Sequence, residues 1–324
     1  MLKPFTTFRQ QLKILRGRNL IINNGSKAIE ILERENYYYL INGYKNIFLD
    51  TSSATEKYQN GTTFEHIYSL FCFDRNLRII LLKNLLEFEN ILKTHISYYF
   101  AEEYRTDFNY FNINNFDCST PDKRANTTKL IATLSKVIEE KTKEKKSTIN
   151  HYLYKHKCLP IWVLIRQITF GTTSYFYSSL KLNLQNKIAK NITKRYFQKY
   201  PSKKNLKGYP SVPLPPEQLE SIMKFTNEFR NICAHDERLY TYVSTKTKLK
   251  NTFLHFHHNL KFKGNLFDVI MILKFFVPKH NYAEMISDIE EELKELQEKI
   301  NISKYNEILN IMGFIPNWKN ILLK

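Results

Sequence analysis

Glycine and proline are scarce in this chain of 324 residues, at 8 and 10. That scarcity disfavours an architecture of short strands and tight turns and suits long helices. The four cysteines (Cys72, Cys118, Cys158 and Cys233) lie far apart with no CxxC pair. They form neither a zinc pattern nor a dense disulfide framework. No apolar run approaches the roughly 18 residues of a membrane span; the longest candidate, 266–277, is broken by Asp268 and Lys274. The opening Met1-Leu2-Lys3-Pro4-Phe5 leads into charged, helix-like sequence rather than an apolar signal core. The expectation is a soluble, cytoplasmic protein with no membrane partner.

Acidic residues are also in deficit. Asp and Glu number 31 against 49 Lys and Arg, a formal charge of +18. Net charge says nothing about fold, but it favours anionic partners such as nucleic acid. A hydrophobic fraction of 43% is enough for a sizeable core. The length suits about two domains or one large helical unit.

Hydrophobic periodicity places the helices. Two short ones are expected at 6–16 and 26–35, followed by an aromatic cluster, Tyr37, Tyr38, Tyr39 and Tyr44, read as core packing. Residues 74–104 form one long helix on the spacing of Leu77, Ile80, Leu81, Leu85, Phe88, Leu92 and Ile96. A polar, aromatic loop at 107–117 precedes a helix that starts at Pro121 and runs to about 146. The apolar stretch 158–180 reads as helix, with Gly171 marking a break or a close backbone approach. A basic segment at 181–207 ends in a breaker-rich stretch, 208–216, and a new helix starts near Pro216. Residues 241–263 are mixed, and an acidic helix covers 283–300, with Glu290–Lys294 and Glu295–Lys299 at favourable spacing. The fold class is all-α. It divides into an N-terminal helical region at 1–60, a helical core at 61–243 and a C-terminal helical region at 244–324.

Near the end of the helix after Pro216 stands Phe229-Arg230-Asn231-Ile232-Cys233-Ala234-His235. Arg230 is a permanent cation that can hold a phosphate through paired N–H donors, and a histidine exchanges protons near neutral pH. Together they supply what metal-free RNA cleavage needs. On a helical wheel His235 lies beside Asn227 and Asn231, away from the apolar arc of Leu219, Ile222, Phe225 and Phe229. Arg230 and His235 are about 140° apart on an ideal helix, so one helix does not aim both at one phosphate. No second arginine precedes a histidine by this spacing, so a two-motif site requires another subunit, as a C2 homodimer would supply. The plainer alternative pairs Arg230 with Glu228 or Asp236 and leaves His235 to cap the helix.

The basic segment offers a surface for RNA. Lys187, Lys190, Lys194, Arg195, Lys199, Lys203, Lys204 and Lys207 occur with no acidic residue among them, and Tyr196 is interleaved. Such residues neutralise phosphates and stack on bases; the alternative is a solvated helix face. A second basic region contains Lys246, Lys248, Lys250, Lys261 and Lys263 around His255-Phe256-His257-His258. With no Cys or carboxylate at ligand spacing, RNA contact or packing is expected there, not metal. Glu87, Glu89 and His95 lie on the long helix, where a carboxylate could orient Arg230 or His235 or simply face solvent.

Several blocks together are similar to the abortive-infection (Abi) family of the AbiD/AbiF type: Asn36-Tyr37-Tyr38 and Gly43-Tyr44, Leu159-Pro160-Ile161-Trp162, Thr169-Phe170-Gly171-Thr172, and Arg230-Asn231-Ile232-Cys233-Ala234-His235 with Arg238-Leu239. The resemblance spans most of residues 5–240. It implies an all-helical HEPN bundle, related to type VI CRISPR effectors, that defends bacteria against phage. It further implies a homodimeric endoribonuclease toxin that cleaves RNA without metal or cofactor and is regulated by a small structured RNA. Arg230 and His235 match the family's motif, and Asn231 its polar second position. Asp236 and Tyr240-Thr241 depart from the usual flank. The alternative reading is a non-catalytic RNA-binding scaffold that sequesters a structured RNA.

Overall fold

The computed structural model describes residues 4–200, 214–247 and 249–323. In chain order the helices are α1 (Phe8–Gly17), α2 (Gly25–Glu35), α3 (Phe64–Glu103), α4 (Pro121–Lys143), α5 (Thr148–His151), α6 (Ile161–Leu164), α7 (Phe170–Ser179), α8 (Leu182–Lys199), α9 (Pro216–Ala234), α10 (Phe253–His257), α11 (Leu266–Leu273), α12 (Lys279–Lys299), α13 (Ile302–Met312) and α14 (Trp318–Leu323). Among the described residues β-structure is limited to isolated bridges such as Ile21 with Thr63. The fold is all-α, as composition and periodicity imply.

The organising element is α3, 40 residues and about 60 Å long. It begins ten residues earlier than periodicity indicates because Thr63 and His66 close a capping box, each side chain accepting the other's backbone N–H at 3.2 Å. Helices α6, α7, α8, α9, α11 and α12 pack around it, so its apolar residues are buried on more than one face. The acidic helix α12 lies along α3 and is tied to it by Asn76–Glu292, Lys83–Glu284 and Asn281–Glu87. Its solvent side carries the expected Glu290–Lys294 and Glu295–Lys299 pairs at 3.4 and 3.1 Å.

The stretch expected as one helix at 158–180 is two. Helix α6 ends after one turn, and Thr169 caps α7 by accepting the N–H of Thr172 at 3.1 Å. The break frees the carbonyl of Ile168, which accepts Lys93 Nζ from α3 at 2.7 Å. The aromatic cluster also divides. Tyr44 is buried, but Tyr38 and Tyr39 are 66% and 63% exposed, contrary to the packed core expected of them.

Two buried polar groups on α3 carry the energetic consequences. Asp74 is fully buried and accepts four hydrogen bonds: Tyr44 Oη at 2.7 Å, Arg78 Nη1 at 2.6 Å, and the backbone N–H groups of Leu239 and Tyr240 at 3.0 and 2.7 Å. Arg78 reaches on to Asp236. His95 is also buried, and neither ring nitrogen has a hydrogen-bond partner. Burial, and then nearby Arg195, depress its pKa to about 4.

Asp74→Ala leaves the Arg78 charge and two backbone N–H groups short of their acceptor, so a loss of about 3–5 kcal/mol in urea unfolding is expected; a loss under about 1 kcal/mol would contradict this. For His95 the folded protein binds fewer protons than the unfolded chain between the two pKa values. Stability should therefore be complete above about pH 6.5 and fall as pH drops toward 4, by at most about 3 kcal/mol. His95→Gln should flatten that part of the pH–stability curve.

Candidate active site

Helix α9 carries the Arg–His motif, and its two ends explain where the side chains go. Pro215 and Pro216 start it, with Pro216 at a first-turn position where its missing N–H costs nothing. At the other end His235 is the cap residue, its N–H on the carbonyl of Asn231 at 2.9 Å. Asp236 then turns into the left-handed region at φ 56°, and Glu237 N–H closes on the carbonyl of Ile232 at 3.1 Å. This is the six-to-one bond of a Schellman ending, usually made over glycine. Here an aspartate takes that conformation, held by the Arg78 guanidinium.

His235 is exposed and opens into a cleft of about 1050 Å³. Arg34, Arg75, Arg238, Tyr38 and Tyr39 line the same cleft. Arg75 and Arg34 both bind Glu35, and these hydrogen bonds, Arg75's first, hold its carboxyl below the usual range. Arg75 also lies 4.6 Å above the Phe71 ring. Arg238 donates to the carbonyl of Gly43 at 2.6 Å and pairs with no carboxylate among the described residues. Counting Glu35, Asp236 and Glu237 against the three arginines, the cleft is close to neutral. The aromatic pair and the arginines beside His235 were not assigned to the site from sequence. Only the unusual run of three tyrosines and Arg238, within the Arg238-Leu239 block, hinted at them.

Arg230 turns the other way. Its Nε lies 3.6 Å from Glu89 Oε2 on α3, while Glu89 Oε1 holds Lys93 at 2.7 Å. The carboxylate that orients Arg230 is thus Glu89, and not Glu228 or Asp236. Glu228 accepts from Tyr242 at 2.7 Å and from Thr247, and Asp236 belongs to Arg78. Glu87 serves as acceptor for Asn281. Neither Arg230 nor Asn231, which is exposed, lines the His235 cleft. The wheel's angular separation persists, and a single chain does not converge the two motif residues on one point.

The residues expected from sequence to form an RNA surface on α8 are exposed only in part. Lys190, Lys194 and Arg195 are exposed. Lys187 is paired with Glu102 at 2.7 Å. Tyr196 must be corrected: it is fully buried among Tyr200, Phe253 and Phe275 and cannot stack on a base. Lys199 is corrected likewise. Its ammonium is inserted among the carbonyls of Phe275, Phe276 and Val277 at 2.9–3.1 Å, and burial lowers its pKa to about 8. Lys203, Lys204 and Lys207 lie outside the described residues. His255 is buried between Thr252 and Asp268, a packing role. Among the described residues no group of three or more His, Cys, Asp or Glu is placed to hold a metal ion, and no helix is long and apolar enough to cross a membrane.

Glu89→Gln leaves Lys93, nearly buried, without its counter-ion and loosens Arg230. A drop of about 3 kcal/mol in unfolding free energy is expected, with Glu89→Asp retaining most of it; equal effects of the two would argue against charge pairing as the cause.

The geometry of α9 and its cleft can be set beside known proteins. No curated protein and no solved structure matches the chain. Residues 30–241 match the family described as Abi-like protein. That span runs from α2 through the whole Arg230–His235 motif to the turn that Asp74 holds, and the chain belongs to the Abi-like protein family.

Proposed function

We propose that this protein is a metal-independent endoribonuclease toxin of an abortive-infection defence against phage. The observation that carries the reading is His235, an exposed imidazole at a helix end, opening into a cleft with three arginines and two exposed tyrosines. Family membership supports the defence role. The charge of +18 supports a polyanionic substrate.

In the proposed reaction a ribose 2′-OH attacks its neighbouring phosphorus. His235 takes the 2′ proton, the P–O5′ bond breaks, and an acid returns a proton to O5′. The products are a 2′,3′-cyclic phosphate and a 5′-OH, so DNA is not a substrate. Arg230 stabilises the charge on the non-bridging oxygens. Because Arg230 and His235 point to different sides of α9, the working site is formed by a homodimer, in which the motif of a second copy faces the first. Arg238, which pairs with no carboxylate among the described residues, supplies a further cation in the same cleft. We further propose that a small structured RNA occupies the basic face of α8 and regulates the toxin.

The test is cleavage of host RNA in EDTA by wild type and His235→Ala. Wild type should leave cyclic-phosphate ends, and the variant should be slower by about 100-fold or more. Cleavage that requires added metal, or that survives His235→Ala, would overturn the mechanism. Tight RNA binding without any cleavage, once co-purified RNA is stripped, favours the scaffold reading instead.

A further inference from the structure

A second polar pocket, of about 520 Å³, lies beside α9 on the face that leads to His235. Glu220, Lys224, Asn227, Asn231 and His235 fall within about 80° on the helix and form one polar stripe. The first three line this pocket, and the last lines the cleft. Asn231 is exposed between them. Asn227 and His235 are eight residues, or about 12 Å, apart along the axis. The two cavities are thus successive stations along one helix face.

The pocket's polar groups can be accounted for one by one. Lys123 pairs with Asp117 at 2.7 Å and Lys224 with Glu220 at 2.6 Å, so its charges cancel locally. Tyr175 Oη donates to Asn126 at 2.9 Å, and the Ser178 and Ser179 hydroxyls donate to the carbonyl of Tyr175 at 3.0 and 2.9 Å. Two groups remain. Ser174 is only 5% exposed, yet its Oγ has no hydrogen-bond partner. The Asn227 amide has none among the described residues either. Gly171 forms part of the wall, and a Cβ there would come within 3.7 Å of Asn227 Nδ2, narrowing the space. An unpaired buried hydroxyl costs free energy unless a ligand or water completes it.

We propose that this pocket is a base-reading subsite, in which the Asn227 amide hydrogen-bonds the edge of an unpaired RNA base and Ser174, whose Oγ is covered in the unliganded chain, joins it by a rotation about χ1. The occupant is a base rather than a phosphate, because the lining offers amides and hydroxyls with its charges already paired. Amide and hydroxyl groups donate and accept, as base edges require. Contacts to phosphate position a strand, whereas contacts to base edges select sequence. At about 12 Å from His235, the base held is not the one beside the scissile phosphate. The inference rests on RNA being the ligand, but not on catalysis.

The test uses random single-stranded RNA octamers selected for binding to full-length His235→Ala protein, and to the same protein carrying Asn227→Ala or Ser174→Ala. The His235→Ala protein should enrich one base at one position. Either added substitution should reduce that enrichment, by about tenfold for Asn227→Ala, while total RNA affinity changes less. Identical enrichment in all three proteins, or no positional preference in any, would overturn the subsite. Cleavage-site sequencing with wild type is run in parallel. If wild type cuts nothing while the enrichment still depends on Asn227, the subsite stands and the nuclease reading falls.

Discussion

The Asp74 carboxylate is the point at which three distant parts of the chain are joined. It takes a hydroxyl from Tyr44, a guanidinium from its own helix and two backbone N–H groups from Leu239 and Tyr240. A buried charge is tolerable only when its partners are this complete. The consequence reaches the site through Arg78, which binds both Asp74 and Asp236. Asp236 occupies a left-handed conformation that costs a non-glycine residue about 1 kcal/mol or more. Its pairing with Arg78 offsets that cost and stops α9 at His235. The same contacts bring the 34–44 segment to one wall of the cleft. Position of the imidazole and shape of the cleft thus depend on one carboxylate.

Helix α9 has three different surroundings, and its chemistry follows from them. Its apolar arc (Leu219, Ile222, Phe225 and Phe229) is buried. One flank sends Arg230 to Glu89. The other carries Asn227, Asn231 and His235 toward solvent and the two cavities. A motif arginine held by a carboxylate is oriented but not idle, since Glu89 also serves Lys93 and its second oxygen meets Arg230 at 3.6 Å without a hydrogen bond. An incoming phosphate would compete for a loosely engaged guanidinium. Such loose engagement leaves the guanidinium free to face a second copy's motif, as the proposed dimeric site requires.

Much of this was legible in sequence where period and polarity agree. The helices at 121, 216 and 283, the apolar arc of α9 and the outward face of His235 all follow from 3.6-residue spacing, whereas spacing alone left open whether Glu89 meets Arg230 or faces solvent. Failures occurred where tertiary contacts override local pattern. Tyr196 and Lys199 look like a basic–aromatic RNA surface, but α8 turns Tyr196 into the core and uses Lys199 to satisfy carbonyls after α11. Alternation of charge and ring in sequence does not report which residues share a face. Tyr38 and Tyr39 fail in the opposite direction: a short π turn at Tyr38–Asn42 rotates them outward. The Thr169 cap that splits α6 from α7 was masked by continuous hydrophobicity.

The distribution of charge separates attraction from discrimination. The chain carries +18 overall, yet neither cavity along α9 has a marked excess of either sign. Lys190, Lys194 and Arg195 are exposed on α8, away from the lining of both. Long-range attraction falls off within a Debye length, about 8 Å at physiological ionic strength, and acts on any polyanion. Selection needs short-range hydrogen bonds in places where non-specific charge does not dominate. A basic exterior with two cavities of balanced charge along α9 thus separates long-range attraction of polyanions from short-range hydrogen bonding, the division that the proposed RNA reading requires.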